Sequence, residues 1–320
     1  MMRSESFPLT FVCPRCHSPL EMISEDELCC VTDGLAFQRQ EGIWRFLLPE
    51  DEARYARFIQ DYETIRKAEG RGSADPAYYR ALPDRDLTGR FTQDWRFRAA
   101  SFQLLTRQIL PTLEERGNGR LKILDLGAGV GWLSNRLAAR GHYLAAIDLT
   151  VNAWDGLGAY IHYENSFLPV QADYNRLPLP DRSVDLVVFN ASFHYATSFD
   201  AALRECLRVL QPGGLVVVLD TPVYRRDESG RRMVGEREDS FQRLYGFPSN
   251  ALPSENYLTP ARLEELAAGL GIRWKYSIPV YPLSWSVKHW IARLRSRREL
   301  ARFPMIAGTL NQRDQESLTS

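Results

Sequence analysis

A glycine-rich turn preceded by an acidic residue is the stretch of this sequence best suited to chemistry. Residues 121–131 read LKILDLGAGVG, in which Asp125 precedes glycines at 127, 129 and 131. A strand that ends in closely spaced glycines and is followed by a helix lets a ligand approach the backbone where a Cβ atom would collide. The turn therefore predicts a binding site for a nucleotide-like ligand.

The spacing of the glycines excludes a dinucleotide site. The dinucleotide fingerprint needs its third glycine three residues after the second, so that the helix packs on the strand beside the pyrophosphate. That position is occupied by Trp132. The pattern is instead Asp-x-Gly-x-Gly-x-Gly.

Polar residues also follow the next three predicted strands. Asp148 comes 21 residues after Gly127, close to the spacing of about 20 expected for an acid that binds ribose hydroxyls. Asp173 and Asn190 end the third and fourth strands. Any one of them is equally well explained as a helix cap or a solvated turn. Because the carboxyl ends of parallel strands meet at one edge of a sheet, we expect them to form one site.

These segments resemble the class I, Rossmann-like S-adenosylmethionine-dependent methyltransferases. The glycine motif resembles the first motif of that family, and LPLPDRSVDLVV and LRVLQPGGLVVVLD are similar to its segments around the fourth and fifth strands. The resemblance covers about residues 121–221 and indicates the ubiquinone-biosynthesis-like (type 11) group. It implies S-adenosylmethionine as the cofactor and methyl transfer as the reaction.

The resemblance also implies roles for individual residues. The residue that matches Asp125 helps to hold the methionine amino group, the glycine backbone accommodates the methionine carboxylate, and the residue that matches Asp173 accepts a hydrogen bond from the adenine amino group. The methyl group should emerge near Asn190. The predicted cofactor-binding residues are Asp125, Gly127, Gly129, Gly131, Asp148, Leu149, Asp173, Tyr174 and Asn190.

Methyl transfer from a sulfonium is an in-line displacement, so a base is needed only if the acceptor must lose a proton. His194 is the candidate base, because imidazole titrates near neutral pH and the residue lies just past the fourth strand. Its alternative role is packing or cofactor contact. Tyr174 and Tyr195 are candidate pocket-lining residues. Asn190 is not followed by the two prolines that base amino-group methyltransferases carry, which argues against methylation of an exocyclic base amine.

A cysteine cluster near the start of the chain predicts a structural zinc site. The segment is similar to a small zinc ribbon that activates tRNA and rRNA methyltransferases and is fused to many bacterial ones. Asp33 stands where that ribbon has its fourth cysteine, and zinc accepts carboxylate oxygen. Cys29 or His17 could substitute for it, and a ribbon held by its own small core without metal is the other alternative. The predicted ligands are Cys13, Cys16, Cys30 and Asp33.

The charge distribution argues against a nucleic-acid partner. The chain has 40 basic and 40 acidic residues. Residues 1–48 contain four arginines and seven acidic residues, and an acidic ribbon binds phosphate poorly. A small-molecule, glycan or lipid-type acceptor is therefore the main hypothesis. The alternatives are an rRNA or tRNA methyltransferase guided by the ribbon, and a non-catalytic partner protein with this fold. The oligomeric state is left open.

The alternation of strands and helices from residue 121 predicts an α/β fold with a Rossmann-like, doubly wound, mostly parallel sheet of seven strands. We divide the chain into a zinc-ribbon-like module, 1–48, a helical connector or lid, 49–115, and a methyltransferase domain, 116–320, with a substrate-side insertion at 223–256. The predicted strands are 121–126, 143–148, 167–171, 184–190, 214–220, 272–280 and 302–309. The predicted helices of the domain are 131–140, 150–161, 198–210, 259–270 and 285–298.

Two expectations concern location. The sequence has no apolar run of the roughly 20 residues that a membrane span needs, and no leader-like segment, so we expect a cytoplasmic protein. The helix predicted at 285–298 combines an apolar stripe with five basic residues. It would either touch an anionic membrane surface or pack on the sheet.

Overall fold

The computed structural model describes residues 10–117, 119–280 and 299–310. Its centre is a sheet of eleven strands. Along the chain these are β1 (Glu21–Ser24), β2 (Glu27–Cys30), β3 (Leu35–Gln40), β4 (Ile43–Arg45), β5 (Lys122–Leu126), β6 (Tyr143–Asp148), β7 (Leu168–Gln171), β8 (Val184–Asn190), β9 (Leu210–Leu219), β10 (Ile272–Ser277) and β11 (Met305–Leu310).

Eight helices surround the sheet within the described residues. They are α1 (Pro49–Ala68), α2 (Pro76–Ala81), α3 (Thr92–Gln108), α4 (Leu110–Arg116), α5 (Trp132–Ala138), α6 (Phe199–Val209), α7 (Asp227–Tyr245) and α8 (Pro260–Leu270). In the part of the chain that is described, none has the length and apolarity required to cross a bilayer. The predicted basic helix at 285–298 lies outside the described residues.

The strand order explains where the site forms. It reads β1-β2-β3-β4-β7-β6-β5-β8-β9-β11-β10, with parallel pairing from β4 through β7, β6, β5 and β8 to β9. Strands β11 and β10 follow antiparallel. The chain adds β6 and β7 on one side of β5, and β8 and β9 on the other side. The connections after β5 and β8 therefore run in opposite directions and leave a crevice beyond the carboxyl ends of these two strands.

The predicted α/β class is confirmed, but the predicted strand number of seven is wrong. The five central pairings are parallel as predicted, and the other five pairings of the sheet are antiparallel. The sheet has eleven strands because the N-terminal module joins its edge. Trp44 and Arg45 of β4 pair in parallel with Val170 and Gln171 of β7. This pairing satisfies backbone groups that an edge strand would otherwise leave open.

The N-terminal module and the central sheet share one hydrophobic core. Phe37, Trp44 and Phe46 of the module belong to the same buried cluster as Val170 and Phe189 of the parallel sheet. Strands β5, β8 and β9 are buried on both faces, which accounts for their nearly continuous apolar sequences. The module is therefore part of the body of the protein and not a separately packed appendage.

The helical segment before the parallel sheet lies over the carboxyl ends of the strands. The Tyr55 hydroxyl of α1 donates a hydrogen bond of 2.6 Å to Asp173. Farther along α1, Arg66 binds Asp155 through both nitrogens of one guanidinium edge. These two contacts hold α1 across the ends of β6 and β7.

The predicted helix at 150–161 is largely absent. The segment forms turns followed by a single 3₁₀ helix, Leu157–His162. Gly156 approaches the backbone of Thr150 so closely that a Cβ atom would lie 2.9 Å from its carbonyl, and Gly158 is equally tight against Val151. The glycines let the chain fold back on itself, which an α-helix over this segment would prevent.

Candidate functional site

A cavity of about 260 Å³ opens beyond the carboxyl ends of β5 and β8; we call it the inner chamber. Six of the residues singled out from the sequence line it: Asp125, Gly127, Gly129, Asn190, His194 and Tyr195. The remaining predicted cofactor residues do not border this chamber. They are Gly131, Asp148, Leu149, Asp173 and Tyr174.

The three positions of the turn require glycine for different structural reasons. A Cβ atom on Gly127 would lie 2.2 Å from the Cβ of Ser192, and one on Gly131 would lie 2.6 Å from the ring of Phe167. Gly129 has a φ of +54° and no atom within 4 Å of its Cβ position. Gly127 and Gly131 thus permit close packing, whereas Gly129 faces free space in the inner chamber.

Asp125 carries an unused hydrogen-bonding atom into this space. Its Oδ2 accepts a bond of 2.8 Å from the Ser134 hydroxyl. Its Oδ1 is buried and has no partner among the described residues. Burial raises the pKa of Asp125 to about 7. A cation beside Oδ1 would remove the cost of an isolated buried carboxylate, so this position suits an ammonium group.

Asp148 organises the glycine turn. Its Oδ2 accepts the Gly129 N–H at 2.8 Å, and its Oδ1 accepts both the N–H and the hydroxyl of Thr150. Burial raises the pKa of Asp148. A carboxylate oxygen has two acceptor sites, so Oδ2 retains one for a ribose hydroxyl.

Asp173 is covered by α1. Its Oδ1 accepts two bonds from Asn175, and its Oδ2 accepts the Tyr55 hydroxyl. Leu149 packs in a small cluster around Tyr55 and Leu252. Tyr174 meets Phe189 edge to face. The predicted adenine side of the site therefore lies beneath α1.

Two non-glycine residues at adjacent strand ends adopt left-handed backbone conformations. Ala191, which lines the inner chamber, and Asp220 both have a φ of 54°. The Asp220 carboxylate accepts bonds from Ser101 and from the Asn190 side chain, and burial raises its pKa to about 6. Such backbone strain persists where the surroundings impose it, and it is concentrated at functional sites.

His194 is a neutral imidazole in this environment. Burial, followed by the positive charges of Arg237 and Arg98, lowers its pKa to about 3. Its Nδ1 is buried and has no partner among the described residues. The side chain offers a ligand one hydrogen-bonding atom, but as a proton acceptor it is weak.

Several residues of the inner chamber were not predicted individually. They come from α1, α2, α3, the loop after α1 and the segment after β6: Tyr62, Arg66, Arg71, Tyr78, Trp95, Arg98 and Asp155. The available signal was spacing, because aromatic residues and arginines recur at helical intervals along 49–113, and this led us to expect a segment that could fold over a ligand. Spacing alone does not tell which arginines point inward.

A second cavity of about 240 Å³ adjoins the first; we call it the outer chamber. Both chambers are bordered by Tyr62, Arg66, Arg71 and Tyr195. The outer wall comes from α7 and the loop after it, which lie within the 223–256 insertion. Its residues include Arg237, Phe241, Pro248, Ser249, Leu252 and Asn256.

The cysteine cluster has the geometry of a metal site. Ligand atoms of Cys13, Cys16, Cys30 and Asp33 all lie within 4.8 Å of one another. The sulfur atoms of Cys16 and Cys30 are 3.5 Å apart, and Asp33 Oδ2 is 3.1 Å from the Cys13 sulfur. Zinc–sulfur bonds of about 2.3 Å in a tetrahedron separate sulfurs by about 3.8 Å, so the donor set fits zinc. Cys29 is not a member of this group of four.

Comparisons with known proteins agree with the geometry. A family model described as "Methyltransferase domain" matches residues 124–218. A malonyl-[acyl-carrier protein] O-methyltransferase of Geobacter sulfurreducens is 33% identical over 161 residues, which are 48% of this chain and 52% of that protein. A demethylmenaquinone methyltransferase of Mycobacterium marinum is 38% identical over 104 residues, 32% of this chain and 43% of that protein.

One solved structure illustrates the extent of the structural likeness. It is the 1,6-didemethyltoxoflavin-N1-methyltransferase of Burkholderia thailandensis with bound S-adenosylhomocysteine, which has a TM-score of 0.47 and 14% identity, with 91% of this chain and 99% of that chain covered. The chain spans about half the length, or less, of the curated relatives named above. The predictions of a methyltransferase domain and of S-adenosylmethionine as its cofactor are confirmed at the level of this domain.

Proposed function

We propose that the whole protein is an S-adenosylmethionine-dependent methyltransferase that acts on a small metabolite, glycan or lipid-type acceptor. The observation that carries this proposal is that Asp125 and Gly129 line the same chamber after β5. Asp125 Oδ1 is buried and has no partner among the described residues, and Gly129 leaves open space at its Cβ position. An amino acid end, with its ammonium and carboxylate groups, has the chemistry to occupy that position.

Each of the predicted cofactor residues would bind a different part of S-adenosylmethionine. Asp125 would hold the methionine ammonium, and the backbone from Gly127 to Gly129 would receive the methionine carboxylate. Asp148 fixes the turn and keeps one acceptor site for ribose. Asp173 has the corresponding role on the adenine side, where Tyr55 now occupies its Oδ2. When bound, S-adenosylmethionine supplies an electrophilic methyl group on its sulfonium sulfur.

The remaining residues of the inner chamber would orient the acceptor. Trp95 and Tyr78 are buried and help to keep water away from the reacting atoms. Neutral His194 offers Nδ1 to an acceptor group, which makes it a hydrogen-bonding residue unless the acceptor raises its pKa. Alignment in a dry pocket supplies most of the rate enhancement in such a displacement.

The names of the two relatives support the acceptor class. One is named for a malonyl group on acyl-carrier protein and the other for demethylmenaquinone. Both names refer to small or lipid-type acceptors. We extend that broad class to this chain, and the two chambers described above are the space in which such a molecule would lie.

A matched pair of glycine variants tests the proposal. Gly129→Ala places a methyl group in the free space of the turn, and we expect it to weaken S-adenosylmethionine binding at least tenfold in calorimetric titrations. Gly141→Ala is the control, because Gly141 also has a positive φ and an open Cβ position but precedes β6 at the opposite end of the sheet. Absence of binding to the unmodified protein, or equal affinities of the two variants, would contradict the proposal.

We also propose that Cys13, Cys16, Cys30 and Asp33 bind one structural zinc ion. Four protein ligands leave no open coordination position, so the ion would stabilise the module and take no part in the reaction. The support is the closeness of the four ligand atoms. Metal analysis of the purified protein, with one equivalent of zinc expected, tests this directly.

A further inference from the structure

Two arginines at the chambers form no ion pair with any carboxylate of the described residues. The first is Arg98 of α3, which lines the inner chamber. Its guanidinium lies over the Trp95 ring, 4.7 Å from the centroid. Among the residues that the structure describes, no carboxylate lies within ion-pair distance of it. Burial, followed by the positive charge of Arg66, lowers the pKa of Arg98, while the carboxylates of Asp220 and Asp94 act in the opposite direction without forming an ion pair.

The second is Arg237 of α7, at the outer chamber. Its Nε donates to the Ser249 hydroxyl at 2.8 Å, and its Nη2 donates to Asn256 Oδ1 at 2.6 Å. Both partners are neutral, so the guanidinium is held in place while its charge stays unbalanced. The Asn256 N–H in turn donates to the His194 carbonyl, which connects this arginine to the inner chamber.

The other lining arginines differ in this respect. Arg66 is paired with Asp155, and Arg71 is paired with Glu69 and Asp94. Arg98 and Arg237 also both lower the pKa of His194, so both charges act on the same imidazole. Two guanidinium groups that lack an ion-pair partner among the described residues, near one neutral side chain, favour an anionic group there.

The outer chamber adds an apolar wall to this potential. Its apolar lining residues are Phe58 and Ile65 of α1, Phe241 of α7 and Leu252 of the following loop. A ligand that fits both features has an apolar portion and one anionic group. Guanidinium groups bind carboxylate and phosphate oxygens with matched geometry.

We propose that the methyl acceptor is an amphipathic organic anion whose charged group, a carboxylate or a phosphate, lies between Arg98 and Arg237 beside His194, with its apolar portion in the outer chamber. This inference rests on the proposed methyltransferase function, because the charged group is placed next to the expected position of the donor methyl. It adds the charge and the polarity of the acceptor, which the family match does not specify.

Octanoate, octyl phosphate and octanamide are suitable probes, because they share one apolar chain and differ in the head group. Each is titrated into the full chain saturated with S-adenosylhomocysteine. We expect at least one of the two anions to bind ten or more times tighter than octanamide, and the comparison between them tells which anionic group is preferred. Equal binding of all three probes, or no binding of either anion, overturns the proposal.

Variants assign the effect to the two arginines. Arg98→Gln and Arg237→Gln should each weaken binding of the preferred anion at least tenfold, while the corresponding lysine variants retain part of it. Arg243→Gln is the control, since Arg243 lies on the same helix as Arg237 and bonds only to a backbone carbonyl of its own helix. Anion affinity that is unchanged in both glutamine variants would also overturn the proposal.

S-adenosylhomocysteine binding separates the two levels of inference. If the unmodified protein does not bind S-adenosylhomocysteine, the proposed function itself is contradicted. Retained binding without discrimination between octanoate, octyl phosphate and octanamide would contradict only the anionic acceptor. Variants that still bind S-adenosylhomocysteine are thereby shown to be folded.

Discussion

Asp125 should make cofactor affinity depend on pH. Its pKa in the free protein is about 7, because the carboxyl group is buried and one oxygen has no partner. Below pH 7 the group is protonated and must lose its proton before it can pair with the methionine ammonium. We therefore expect the affinity for S-adenosylmethionine to fall by up to about tenfold per pH unit below pH 7 and to level off above it. Calorimetric titrations between pH 5.5 and 8.5 measure this.

The Asp125→Asn variant is the control, since it keeps the shape and the Ser134 contact. It should bind the cofactor weakly and without this pH dependence. It should also be more stable than the unmodified protein at pH 8, by on the order of 3 kcal/mol, because the folded pKa is raised above the unfolded value and ionisation therefore costs stability as pH rises. The difference should vanish towards pH 4. The assignment would be contradicted if the stability difference between the variant and the unmodified protein were the same at pH 8 as at pH 4.

At the residue scale, the sequence predicted that polar residues at strand ends would come together, and the structure brings part of that set into one chamber. Asp125, Gly129, Asn190 and His194 lie together because parallel strands bring their carboxyl ends to one edge. Arg98 and Arg237 were not predicted individually. Their helices are mostly polar, and an inward-facing arginine becomes recognisable only when the helix is docked on the site.

At the scale of elements, the bond from Tyr55 to Asp173 holds α1 over the end of β7, which is the proposed adenine side of the site. The Tyr55→Phe variant leaves a buried carboxylate without that donor. We expect the free energy of unfolding to fall by about 1–3 kcal/mol in urea titrations. Tyr276→Phe is the matched control, because Tyr276 is 52% exposed, and it should change little. Equal stabilities of the two variants would mean that α1 is not held by this bond.

Two elements show why local sequence patterns were insufficient. The predicted helix at 150–161 failed because Gly156 and Gly158 allow a fold-back that brings Asp155 to Arg66. The 223–256 insertion was predicted as a substrate-side segment, and no helix was predicted within it. It contains the nineteen-residue helix α7, whose charged surface resembles that of a loop in composition.

At the scale of the whole molecule, the cysteine site should contribute to the stability of the entire protein. The module shares its core with the parallel sheet, so loss of zinc should lower one common unfolding transition. We expect Cys16→Ser or a chelator to reduce the melting temperature by several degrees. Cys29→Ser is the control, since Cys29 is outside the group of four ligands. Identical melting temperatures for the two serine variants would exclude a structural metal at this site.

The extent of the sheet could not be predicted from the sequence. The strand that joins the module to the sheet, β4, has only three residues, and its pairing with β7 connects positions more than a hundred residues apart. A strand that short gives no periodic pattern, and parallel pairing between distant segments gives no turn signal.

The pairing of β4 with β7 also prevents other copies of the protein from adding a strand at the edge of β7. Without residues 1–48, the edge of β7 would present a row of free backbone donors and acceptors beside an apolar surface. Such an edge is a template on which strands of other molecules add, and natural sheets avoid aggregation by covering it. The four short N-terminal strands thus cover this edge. A shortened chain that begins at α1 would expose it and would therefore be prone to aggregation.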